Sequence, residues 1–250
     1  MCDSLQHLLD HARDICDGVR QIDGDIEGLR LGGGTALMLH IDHRESHDID
    51  LFLPSRESLG FIIAVVNDRE VFHDGARCET DGSLYVKIEI RDRGEIDFIA
   101  APPITNDPPV SMTIGNHSLL VDTVPEIIAS KVVHRGTFLK PRDIFDIMAA
   151  SKAGYQDCIQ KVLSGLTPYV RSSLDHIEKL VSRNTTLFME ELVIRPDYQD
   201  LVDQALPFVR TILNTALQDE ERSSNENNDS AFSSPHDISD LPKSPSKSPS

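Results

Sequence analysis

Long apolar runs are missing from this chain, which nowhere approaches the roughly 18 consecutive apolar residues that a membrane-spanning helix requires. Its opening, MCDSLQHLLDHARD, is acidic where a secretory leader is basic. Both features predict a cytoplasmic protein with no membrane partner. Cysteine is scarce, and Cys2, Cys16, Cys78 and Cys158 are scattered without a C-x-x-C pair. That argues against a zinc site or a disulfide framework and for free thiols. Positive charge is also in short supply: 24 Lys and Arg stand against 41 Asp and Glu, for a formal net charge of −17. Such a body repels nucleic acid, so a nucleic-acid substrate has to be gripped locally. The C-terminal stretch is not the source of the acidity, because residues 221–250 carry five acidic and three basic residues, a net of −2 that leaves −15 in the body. The only dense cationic stretch, residues 131–142, contains Lys131, His134, Arg135, Lys140 and Arg142. Finally, the chain lacks both the G-K-[ST] of a P-loop and the G-x-G-x-x-G dinucleotide pattern, which disfavours two common nucleotide folds.

At 250 residues and 39% hydrophobic, the chain is long enough to bury a sizeable core, as one catalytic body with a helical extension. Hydrophobic periodicity in the first 150 residues switches between two and 3.6. An N-terminal helix is followed by a short strand at IEGLRL, a glycine turn opening a helix at GGGTALMLHI, and an alternating strand at DIDLFLP. RESLGFIIAVVND reads as a helix, LYVKIEI and EIDFIAA as strands joined at Asp92-Arg93-Gly94, and SMTIGNHSLLVD as a hairpin. VPEIIASKVVHRG is a helix bounded by Pro125 and Gly136. The fold class expected is α+β, a small mixed sheet flanked by helices and followed by a C-terminal helical extension. The division expected is a body over 1–155, helices over 156–220 with Pro207 kinking or splitting the last, and a disordered Ser/Asn/Asp/Pro-rich tail over 221–250 ending in KSPSKSPS.

The chemistry concentrates in two places. Side chains two apart on a strand share a face, so Asp48 and Asp50 project together from alpha carbons roughly 6.5 to 7 Å apart. Paired carboxylates on a rigid element repel unless a cation lies between them, and hard oxygen ligands suit Mg²⁺. Against this stands the commoner arrangement, in which a D-x-D merely lines a solvated sheet edge. Upstream, Gly33 and Gly34 end one strand and begin a helix, so bare amides at a helix N-terminus can approach a phosphate. Thr35 either caps that helix or bonds the phosphate. A third acid is expected from EIDFIA, where Glu95 and Asp97 share a face and Asp97 lies deeper in the apolar run.

These residues carry a resemblance. GGTALMLHIDHRESHDIDLF, residues 33–52, and DTVPEIIASKVVHRGTFLKPRDIFDIMAA, residues 122–150, resemble the AbiEii/AbiGii toxin family of nucleotidyltransferases, which share the fold of the DNA polymerase beta superfamily. The likeness spans about residues 28 to 150. It implies a minimal nucleotidyltransferase fold in which Gly33, Gly34 and Thr35 hold the triphosphate. Asp48, Asp50 and Asp97 would bind two Mg²⁺ ions, with Lys131 reaching the nucleotide phosphates. Arg44 either contacts phosphate or forms a salt bridge to Asp48 or Glu45. Arg142 and Asp143 belong to an Arg-Asp-x-x-Asp stretch similar to the family's, where Asp143 joins the site, orients Lys131, or closes an ion pair between two helices.

The activity so implied is transfer of a nucleoside monophosphate from an NTP to an acceptor hydroxyl, on a tRNA 3′ end or a protein, by a toxin with an antitoxin partner. Two alternatives differ in class: a catalytically inactive nucleotide-binding or interaction module, and a small-molecule nucleotidyltransferase of the antibiotic-modifying kind.

Overall fold

Alternating residues on the central strands sort cleanly to two sides, and this sorting organises the molecule. In the computed structural model, which describes residues 3–22, 24, 26–67, 76–183 and 192–232, seven strands form one sheet. They are β1 (Arg30–Gly32), β2 (Ile49–Leu53), β3 (Arg77–Thr80), β4 (Tyr85–Ile90), β5 (Gly94–Ala100), β6 (Val110–Ile114) and β7 (His117–Val121), in the order β3-β4-β5-β2-β1-β7-β6. The sheet is mixed: β2 pairs with β5 and β1 with β7 in parallel, and the other neighbours are antiparallel.

Ile49, Leu51 and Leu53 of β2, Ile96 and Phe98 of β5, and Val86, Ile88 and Ile90 of β4 are all buried on one face. Covering that face are helices α1 (Asp3–Gln21) and α3 (Arg56–Asn67). The residues between them, Asp50 and Phe52, Asp97 and Ile99, and Lys87, emerge on the other face, as a period of two requires. Helix α2 (Gly33–Ile41) leaves directly from β1. Next to it pack α4 (Val124–Arg135) and α5 (Pro141–Ala150), joined by a 3-10 turn over residues 136–138. Thr123 caps α4 by accepting the Glu126 amide at 3.4 Å, with Pro125 in the first turn, an arrangement that favours helix initiation at this point.

The C-terminal helices are α6 (Gln156–Ser164), α7 (Thr167–Ser182) and α8 (Val202–Phe232). They continue the body's core: one contiguous cluster of buried side chains runs from Leu5 in α1 through Phe98 and Ile128 to Ala216 in α8. Pro207 lies inside α8 without ending it, and that helix runs on past residue 221 to Phe232. No Pro or Gly occurs between 221 and Phe232 to break it, so helix occupies the start of the stretch expected to be a disordered tail. Residues 233–250, including KSPSKSPS, lie outside the described residues. Among the described residues no helix is long and apolar enough to cross a membrane.

Candidate active site

Strand register sets one wall of the site. Gly32 on β1 pairs with Asp50 on β2, Asp50 with Asp97 on β5, and Asp97 with Lys87 on β4, so these four residues form a row across the sheet. Asp48, just before β2, is fixed at both ends: its carbonyl accepts the Thr35 hydroxyl, and its Oδ1 accepts the Glu95 amide at 3.1 Å. Gly33 meets two constraints at once. It has φ +65, and a Cβ there would run into Oδ2 of Asp50, so only glycine lets the start of α2 come this close to the carboxylate. At Gly34 a Cβ would lie 2.7 Å from Nη2 of Arg44.

The opposite wall comes from α4, the 136–140 connection and the start of α5. Lys131, His134, Arg135, Lys140 and Arg142 line a cleft of about 300 Å³ together with Gly33, Gly34, Asp48, Asp50 and Asp97. The single cationic stretch of the sequence therefore faces the carboxylate row. Phe52, Ile99 and Ile127 supply the apolar part of the lining.

Charge is distributed unevenly over this framework. Burial pushes the Asp50 carboxyl above its ordinary range, and Arg135, Lys131 and Arg142 only partly offset that. Burial likewise raises Asp97 to about 6, opposed by Lys87. Lys87 bonds Glu95 and lies 3.7 Å from Oδ2 of Asp97, acting as a resident countercharge on that side. Oδ1 of Asp97 is buried without a hydrogen-bond partner.

Behind the cationic wall a second set of charges centres on Asp146, which is fully buried. Asp146 Oδ1 accepts from His43 Nε2 at 2.8 Å and Arg44 Nε at 2.7 Å, while Oδ2 accepts from Arg44 Nη2 at 3.0 Å. Lys131 Nζ is also 3.0 Å from Oδ2. Burial alone would raise the Asp146 carboxyl, but Lys131, His43 and Arg44 hold it well below the usual carboxylate range. Asp143 is lowered in the same way, burial being outweighed by Lys131 at 2.7 Å and Arg135 at 3.3 Å.

Of the residues expected from sequence, the cleft brings together Gly33, Gly34, Arg44, Asp48, Asp50, Asp97, Lys131 and Arg142. Thr35 and Asp143 are buried and lie behind the lining. The Thr35 hydroxyl is spent on the Asp48 carbonyl, tying the start of α2 to β2. Asp143 holds Lys131 and Arg135 and accepts the Lys140 amide at 3.1 Å, so it both ties α4 to α5 and orients Lys131. Arg44 does form a salt bridge, but with Asp146 rather than Asp48 or Glu45.

Lys87 and the Asp146 centre went unassigned in the sequence. The turn at Asp92-Arg93-Gly94 carried the signal for Lys87, because counting back along both strands from it sets Lys87 opposite Asp97. The C-terminal extension also reaches the site's framework. Residues 193–195 pair with 43–45, through Glu45 N to Val193 O at 2.9 Å and Arg195 N to His43 O at 3.0 Å, clasping the segment that leads into Asp48.

Among the described residues no group of three or more His, Cys, Asp or Glu side chains is gathered as a metal centre. Lys87 stands against Asp97, and Asp48 is turned to the Glu95 amide. In chemical type, however, the donor set fits a hard divalent cation: three carboxylates along one wall, one with an orphaned buried oxygen.

No curated protein matches the chain. Its solved structural neighbours include a Helicobacter pylori protein with a provisional nucleotidyltransferase name, at 14% identity and a TM-score of 0.45, covering 89% of this chain and 99% of that one. Another is JHP933 from Helicobacter pylori, at 15% identity and a TM-score of 0.42, covering 92% and 99%. The family model for the nucleotidyl transferase AbiEii toxin matches residues 20–224, a span that takes in the whole cleft and most of the helical extension, and the chain therefore belongs to this family of type IV toxin–antitoxin toxins.

Proposed function

We propose that the protein transfers a nucleoside monophosphate from an NTP to an acceptor hydroxyl, on a tRNA 3′ end or a protein, as a toxin partnered by an antitoxin. The observation that carries this reading is the two-walled cleft, with Asp48, Asp50 and Asp97 on the sheet side facing Lys131, Arg135, Lys140 and Arg142 on the helix side. A triphosphate carries several negative charges, and the cationic wall supplies their complement. Gly33 and Gly34 open α2 beside Asp50, where bare amides at a helix N-terminus receive phosphate oxygens. Buried and held by Asp143 and Asp146, Lys131 has its ammonium fixed in place before substrate arrives, which lowers the reorganisation needed at the transition state.

Asp48, Asp50 and Asp97 are the residues that would hold Mg²⁺. When bound, the metal stabilises the attacking oxygen and the leaving pyrophosphate of an in-line displacement. In that displacement the acceptor oxygen bonds to the α-phosphorus, the bond from that phosphorus to the bridging oxygen breaks, and pyrophosphate departs. The hydroxyl proton passes to a carboxylate of this row, a role we assign to Asp97.

The test is incubation of the purified protein with each labelled NTP, Mg²⁺ and cell extract, followed by separation of RNA, protein and small molecules. Label is expected in RNA or protein and absent with Asp50→Asn. Because Asp50 is held above its ordinary pKa by burial, this isosteric neutral variant keeps the fold. Incorporation that survives Asp50→Asn overturns the proposal, and label found only in small molecules overturns the macromolecular acceptor.

A further inference from the structure

Among the described residues Phe138 is the most exposed large hydrophobic side chain, at 78%. It sits in the 3-10 turn between α4 and α5, within the cationic stretch that forms one wall of the cleft. Its ring centroid is 6.0 Å from that of His176 on α7. Tyr169, itself 46% exposed, is seven residues before His176 and so on the same face of that helix. The turn is seated on this face: a Cβ on Gly136 would lie 3.3 Å from the Tyr169 carbonyl oxygen. Phe138, Tyr169 and His176 thus form an aromatic ledge. In sequence Phe138 precedes by two and four residues Lys140 and Arg142, which line the cleft.

An exposed ring two and four residues from two cleft-lining cations, on a chain of net charge −17, is a local exception to the molecule's surface. Aromatic faces with adjacent Lys and Arg suit an unpaired nucleotide strand, whose bases stack while its phosphates meet the cations. An apolar protein partner would leave Lys140 and Arg142 to be desolvated without compensation. We propose that this ledge binds the single-stranded 3′ end of an RNA and leads its terminal hydroxyl into the cleft. The proposal rests on the nucleotidyl-transfer reading for its direction of approach, but the binding itself does not require turnover.

The experiment is fluorescence anisotropy with a 5′-labelled single-stranded RNA dodecamer bearing a free 3′ hydroxyl, without NTP. The wild-type chain is expected to bind with an affinity that falls as salt rises. Phe138→Ala should weaken binding by about tenfold, as loss of one stacked base does, while Phe138→Trp retains it. Since Phe138 is largely exposed, its replacement leaves the core intact, and an unchanged melting temperature checks this. Equal binding by wild type and Phe138→Ala overturns the proposal. So does failure of the wild-type chain to bind the RNA, or label transferred to protein in a Phe138-dependent way. Calorimetry of each NTP with the wild-type chain reports separately on the nucleotide reading: Phe138-dependent RNA binding without NTP binding removes that reading and leaves the ledge standing.

Discussion

Asp146 is fully buried and nonetheless held ionised, because His43, Arg44 and Lys131 all converge on its two oxygens. Removing it leaves Arg44 and Lys131 buried with one acid fewer. Loss of one partner from a buried ion pair costs about 3–5 kcal/mol, so Asp146→Ala is expected to lower unfolding stability by that order in urea titrations; a loss below about 1 kcal/mol would show the centre to be dispensable. Gly33→Ala meets a different obstacle, since the residue sits at φ +65 and its Cβ collides with the Asp50 carboxylate. The backbone strain alone is worth about 1–2 kcal/mol, and the collision displaces Asp50. Calorimetry is therefore expected to show NTP affinity reduced at least tenfold alongside a lower melting temperature. These two residues differ in how far the sequence revealed them. Gly33 was legible because the strand, the glycine turn and the helix are consecutive. Asp146 was visible only as the second acid of an Arg-Asp-x-x-Asp stretch, because its partners His43 and Arg44 lie 103 and 102 positions away and no local pattern reports such a distance.

Elements were recovered where burial imprints a period. β2, β4 and β5 alternate because one face packs on α1 and α3 while the other faces the cleft, and this alternation placed Asp48, Asp50 and Asp97 on one side. β3 was not recovered: all four of its residues are exposed, so backbone pairing with β4 makes the strand and no hydrophobic pattern marks it. The parallel register of β2 with β5 aligns Asp50 and Asp97 side by side, at an energetic cost. With its carboxyl raised to about 6 by burial, Asp97 is ionised at neutral pH against its environment. Holding it charged there costs roughly 1–3 kcal/mol, the lower end reflecting solvent screening of a side chain that is only partly buried. Asp97→Asn is thus expected to raise the melting temperature of the metal-free protein at pH 7, while losing any stabilisation by Mg²⁺ that the wild-type chain shows and losing nucleotide transfer. Stabilisation without loss of the Mg²⁺ response would mean that Asp97 is not a ligand. A carboxylate row that weakens its own fold is the kind of compromise that a trade of stability for activity produces.

At the scale of the whole molecule, the C-terminal helices contribute more than the sequence suggested. Helices were legible there, but the pairing of residues 193–195 with 43–45 was not, since it joins segments some 150 positions apart. The composition, by contrast, foretold a conflict of charge that the structure locates. Buried acids pull the pH dependence of stability in opposite directions. Asp143 and Asp146, held below the ordinary carboxylate value, stabilise the fold above about pH 3.9 and lose that contribution as pH falls through their lowered folded values. Asp97 and Asp122 have the opposite sign. Burial raises both to about 6, with Asp122 only partly compensated by Arg30, so their neutral forms favour the fold below about pH 3.9 and stability declines as pH rises through 6. Repulsion within a body of net charge −17 at pH 7 grows over the same range. Melting temperatures measured at constant ionic strength should therefore peak near about pH 4, fall between about pH 4 and 6, and level off toward neutrality. Asp97→Asn is expected to flatten that fall without altering the acid limb, because the acid limb belongs to Asp143 and Asp146. A wild-type plateau running unchanged from about pH 4 to 8 would show that bound cations or relaxation of the sheet already relieve the carboxylate row.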